Sequence, residues 1–172
     1  MKRGPVIPFL KFNIVKKIMK IFNKTVAVLF IALLSSQLVS AHCEIPCGIY
    51  GDQTRIDLIK ENITTIEKSM KQINELSSSK KPDQNQLVRW VINKEEHAKK
   101  IQDIVSQYFL HQRIKISTKP GTHEFDDYLY KLTLCHQLLV YSMKCKQSTD
   151  LEAVKQLRES LSKFESALAH KH

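Results

Sequence analysis

From Asp52 onward, apolar side chains recur every three or four positions, the period of a helix that turns one face to a core. Ile56, Ile59, Ile63, Ile66, Met70, Ile73 and Leu76 predict a first helix, with Asp52 read as its cap and "SSSKKPD" ending it near Ser78. A second stripe passes through Leu87, Val88, Val91, Ile92, Ala98, Ile101, Val105 and Tyr108 and fades by His111. After the loop "STKPGTHE", a third helix from about Glu124 to Lys146 carries Phe125, Leu129, Leu132, Cys135, Leu138 and Leu139. The segment "KQSTDLE" turns the chain. Ser148 or Thr149 is then the expected cap of a fourth helix with the stripe Leu151, Val154, Leu157, Leu161, Phe164 and Leu168. Four helices with short connections predict an all-α fold, an antiparallel up-and-down four-helix bundle over residues 52–172. Trp90, Phe109, Tyr128, Tyr130 and Tyr141 are more bulk than one bundle interior holds, which predicts self-association.

Ahead of these helices the pattern changes. Residues 26–34, "VAVLFIALL", form a nine-residue apolar run behind lysines, followed by "SSQLVSA". That run falls short of the roughly 20 apolar residues needed to cross a bilayer and suits the apolar region of a signal peptide. Val39 and Ala41 occupy the small-residue positions of a cleavage site. Residues 1–41 therefore read as a removed leader, starting at Met1 or Met19. The expected product is exported, periplasmic or extracellular, with no stable membrane anchor after cleavage. The charge supports this division. Lys2, Arg3, Lys11, Lys16, Lys17, Lys20 and Lys24 belong to the leader, which has no Asp or Glu, so most of the formal +10 departs with it. The remaining 20 basic and 17 acidic residues give no reason to expect a nucleic-acid partner.

Between leader and helices lies "HCEIPCGIYG", residues 42–51. Cleavage after Ala41 turns the His42 nitrogen into a primary amine beside an imidazole and the thiols of Cys43 and Cys47. Thiolates are soft donors and, with nitrogen, suit Ni(II) or Cu(II). Such ligands bind deprotonated, so acid weakens the site. Pro46 fixes its own φ and extends Ile45, favouring a turn that returns Cys47. Chemistry alone leaves this open against a Cys43–Cys47 disulfide in an oxidising compartment, or a zinc pair that lacks a second pair downstream. Elsewhere little competes. Cys135 and Cys145 are ten residues apart on one predicted helix, too far to bridge, and read as buried free thiols. Asn62-Ile-Thr64 is a glycosylation pattern, but it falls in mid-helix.

The stretch resembles the N-terminal hook of the nickel superoxide dismutases, a His-Cys-x-x-Pro-Cys-Gly-x-Tyr pattern matched by His42, Cys43, Pro46, Cys47, Gly48 and Tyr50. Glu44 stands where an aspartate is common. The resemblance implies one nickel ion per subunit, bound by the His42 amine, the Cys43 amide and the thiolates of Cys43 and Cys47. The His42 imidazole would be an axial ligand in the oxidised state. It implies disproportionation of superoxide to dioxygen and hydrogen peroxide with Ni(II)/Ni(III) cycling, and a homohexamer. Tyr50 would stand over the metal's open face, and Asp57 is the nearest match to a first-helix acid that hydrogen-bonds the imidazole. Arg89 and Asn93 lie near a second-helix partner of that acid, but neither is assigned the role. The alternative is an exported helical protein that binds nickel or copper without turnover.

Overall fold

The computed structural model describes residues 16, 19–26 and 48–169. The apolar run beyond Val26, the cleavage site and the hook donors His42, Cys43 and Cys47 lie outside the described residues. The chain divides into two units, Met1–Cys43 and Glu44–His172. In the first, residues 19–26 are helical, and the Thr25 hydroxyl donates back to the Ile21 and Phe22 carbonyls. No helix among the described residues is long and apolar enough to cross a membrane.

The second unit is all-α among its described residues. Its helices are α1 (Asp52–Ser78), α2 (Gln84–Asp103), α3 (His123–Gln147) and α4 (Leu151–Ala169). Each helix packs on its chain neighbours, and α4 also packs on α1, so the four surround one core. α2 continues without a break into a π-helical segment, Ile104–Arg113. Hydrogen bonds there reach one residue further back than in an α-helix, a rare geometry that often marks functional sites.

The first stripe is buried as expected, with Ile56, Ile59, Ile63, Ile66, Met70 and Ile73 in the core. The second needs correction. Val88, Val91 and Ile92 face out at 54%, 38% and 51% exposure, while the inward face of α2 carries Lys94, Ala98 and Ile101. Polar pairing made this register possible. Asn93 Nδ2 donates to Ser69 Oγ at 2.9 Å, His97 Nδ1 lies 2.7 Å from Asn62 Oδ1, and the Lys94 ammonium reaches backbone carbonyls at the end of α3. Each of these three α2 side chains thus finds a partner, which burial of polar atoms demands. Leu129 and Leu151 also face solvent, and the inward line of α3 is Leu134, Cys135, Leu138 and Cys145.

The caps also differ from expectation. Gly51 occupies the cap of α1 and makes no side-chain bond, so Asp52 is the first helical residue instead. Asp150, not Ser148 or Thr149, caps α4, its carboxylate accepting from Glu152 N–H at 2.9 Å. Asp83 and Thr122 cap α2 and α3 through their side-chain oxygens. Of the bulky residues expected to overfill the interior, Phe109 is fully buried and Tyr130 is half exposed. Trp90, Tyr128 and Tyr141 lie between.

Candidate metal centre and the residues at its root

Among the described residues, no three His, Cys, Asp or Glu side chains gather where they could hold a metal ion. The sequence before Gly48 carries an imidazole at His42 and thiols at Cys43 and Cys47, all outside the described residues. Soft sulfur combined with nitrogen fits nickel in a planar field. The two remaining cysteines are unsuited. Cys135 and Cys145 are free and buried, and burial pushes their thiols up to about 12 and about 11. Asn62 is equally unsuited to glycosylation, since its amide is buried and donates to the Leu58 carbonyl at 2.7 Å.

In the second unit the described residues begin at Gly48. Gly48 has φ +78°, a left-handed conformation that a side chain would strain, so glycine is what permits the turn there. Two residues on, Tyr50 keeps 42% of its surface exposed. It is nonetheless held from two sides. The Arg113 guanidinium lies 4.5 Å from its ring centroid, and the Tyr108 ring meets it edge-on at 6.0 Å. Edge-to-face contacts then run inward from Tyr108 to Phe109 at 4.9 Å and from Phe109 to Phe164 at 4.8 Å. This geometry suits aromatic quadrupoles and links the hook root to the core.

Asp52 organises the cluster. Arg113 Nε donates to Asp52 Oδ1 at 2.7 Å and Nη2 to Oδ2 at 2.6 Å, a bidentate pair of partly buried groups. The Tyr108 hydroxyl donates to Asp52 Oδ1 at 2.7 Å. Burial first, then the hydrogen bond to Asp52 and its charge, push the Tyr108 phenol up to about 12, so it stays protonated in neutral water. The bond to Asp52 likewise raises Arg113 above its ordinary value, against the opposing effect of burial. The Arg55 guanidinium lies 5.2 Å from the Tyr108 ring centroid.

The π segment is what brings these groups together. It buries Tyr108 and Phe109 in succession and delivers Arg113 at its end to Asp52, 61 residues earlier. Beyond it, the Ile114 N–H still reaches back to the Phe109 carbonyl at 2.9 Å. A cleft of about 540 Å³ opens beside the cluster, lined by Asp52, Arg113, Lys115, Asp127, Tyr128 and Lys131 among others.

Asp57 lies elsewhere on α1. It is exposed, accepts from Gln53 Nε2 at 2.9 Å, and has the Lys60 ammonium at 3.7 Å. Gln53 and Lys60 both donate to Glu165 on α4, placing Asp57 in a surface network. Of the second-helix residues left unassigned, Arg89 is exposed and Asn93 is bound to Ser69. The functional neighbours that sequence reasoning missed are Arg113, which carries no motif, and Asp52, whose place at a helix start reads as a cap. Tyr108 was visible only as a member of a core stripe.

The family model described as nickel-containing superoxide dismutase matches residues 37–171, spanning both the hook and all four helices. No curated protein and no solved structure matches the chain. With nearly the whole helical unit and the donor-bearing stretch matched together, the chain belongs to the nickel-containing superoxide dismutase family, oxidoreductases that act on superoxide with a nickel cofactor.

Proposed function

We propose that this superoxide dismutase works through its processed N-terminus. Residues 1–41 are removed after Ala41 during export to the periplasm or cell exterior, and the mature chain begins at His42. Its amine, the Cys43 amide and the thiolates of Cys43 and Cys47 would hold one nickel ion, together with the His42 imidazole. When bound, nickel supplies one-electron oxidation and reduction of superoxide by alternating between the +2 and +3 states. The protein's own part is to bind, orient and limit access. Tyr50, exposed and clamped at the root, would order water and restrict approach to the bound metal. Tyr108 stays protonated and keeps its hydrogen bond to Asp52. Asp57 is the nearest match to the first-helix acid that the resemblance pairs with the imidazole, and it is exposed on α1. The four helices form an antiparallel up-and-down bundle that self-associates as a hexamer, without a membrane anchor.

The observation that carries this reading is the coincidence of the family match with a Tyr50 held in place immediately after the donor set. Mass spectrometry of the natural protein tests it. The expected chain starts at His42 with one nickel and free thiols, and loss of two hydrogens without metal refutes the site. Superoxide decay under pulse radiolysis separates turnover from mere nickel or copper binding.

A further inference from the structure

The first turn of a helix leaves N–H groups without intrahelical partners and is held by whatever caps it. At α1 the cap is a glycine that makes no side-chain bond. Asp52, in that first turn, instead spends both carboxylate oxygens on Arg113, and one of them also on Tyr108. The start of α1 is therefore fastened laterally to the end of the π segment. Arg113 performs two tasks with different parts of one planar group. Its donor edge grips Asp52, and its Cζ carbon lies over the Tyr50 ring, 4.5 Å from the centroid. Only a guanidinium combines a bidentate fork with a stacking face, which an ammonium lacks.

We propose that Arg113, held by Asp52, is a positioning residue that fixes the Tyr50 ring at the root of the hook. It acts on the reaction through that ring and not by touching nickel or superoxide. The inference rests on the reading that Tyr50 stands beside the metal.

The test uses the full mature chain from His42, with the variants Arg113→Gln, Arg113→Lys, Tyr50→Ala and the double variant. In metal-free protein with ring-labelled tyrosine, Arg113→Gln should shift or broaden the Tyr50 resonances while those of Tyr130 and Tyr141 stay in place. In nickel-loaded protein, it should lower the superoxide rate constant about tenfold without loss of nickel. Arg113→Lys should fall between the two, because charge remains but the fork does not. In the double variant, Arg113→Gln should add little to Tyr50→Ala, since residues that act as a unit are not additive. Unmoved Tyr50 resonances, or losses that multiply, would overturn the proposal. If Arg113→Gln proves unfolded by circular dichroism, the Arg113→Lys resonances and its cycle with Tyr50→Ala decide instead. A wild-type chain that takes no nickel would refute the hook while the tyrosine spectra still judge Arg113.

Discussion

Lys94 makes a prediction whose size follows from its surroundings. Its side chain is only 4% exposed, yet it carries an ammonium in the interior of an otherwise apolar stripe. The nitrogen donates to the carbonyls of Cys145 at 2.7 Å and Ser148 at 3.1 Å, and also to that of Lys146. Those of Cys145 and Lys146 belong to the last turn of α3, where carbonyls lack intrahelical donors and the helix dipole favours a cation. Lys94→Met keeps the length and apolar stem and deletes the charge and all three bonds. A hydrogen bond to a charged group is worth about 1.5–3 kcal/mol, and a buried acceptor left without a partner costs about 1–3 kcal/mol. Relief from keeping an ammonium out of water opposes both, and the Lys146 and Ser148 carbonyls, only partly buried, regain water. The Cys145 carbonyl, fully inside, dominates the balance. The expected net loss is about 2–3 kcal/mol, a large share of the roughly 5–15 kcal/mol that holds a domain together. Urea unfolding of the metal-free mature chain reads it as a lower midpoint at unchanged slope. A loss below about 0.5 kcal/mol, the level of an ordinary surface substitution, would refute the assignment of Lys94 as the cap of α3.

Cys43→Ser and Cys47→Ser should each abolish superoxide turnover while the helical circular dichroism persists; retained turnover would remove the thiolates from the site. One extra residue before His42 should inactivate the enzyme as completely, measured by the same decay assay, because the amine then sits out of reach. In native metal-free protein two thiols should react promptly with a thiol reagent, and Cys135 and Cys145 only in denaturant, since burial holds both protonated. Burial chiefly, with the nearby Lys100 charge, lowers His97 below its ordinary value. The unfolded chain therefore takes up that proton first as pH falls through about 6.5, and stability declines from there toward the lower folded value. His97→Gln should flatten this part of the pH–stability curve, and an unchanged slope between pH 7.5 and 5.5 would count against it.

Much of the helical layout was legible because burial and period coincide. α1 keeps one isoleucine-rich face against the core along most of its length, and no polar residue competes for it until Asn62 and Ser69. α2 defeats the same logic. Val88, Val91 and Ile92 match the period but lose the interior to a neighbouring face whose polar members are each paired to α1 or to the α3 terminus. Pairing across the fold is long-range information, absent from a local pattern. The π segment left no trace either, having no glycine or proline to mark it, and with it went the role of Arg113. Asp52 shows the same limit in miniature. A carboxylate at a helix start reads as a cap until its distant cation is known.

The widened turn at the end of α2 has a consequence for how this protein tolerates change in length. A π turn holds more residues than an α turn, and Arg113 leaves the end of the ten-residue π segment toward Asp52. Removing a single residue between Ile104 and Arg113 would let the segment tighten into ordinary helix, leave Ala98 and Ile101 seated, and swing the guanidinium away from Asp52. A one-residue deletion here should therefore disturb the setting of Tyr50, although it lies some sixty residues away along the chain.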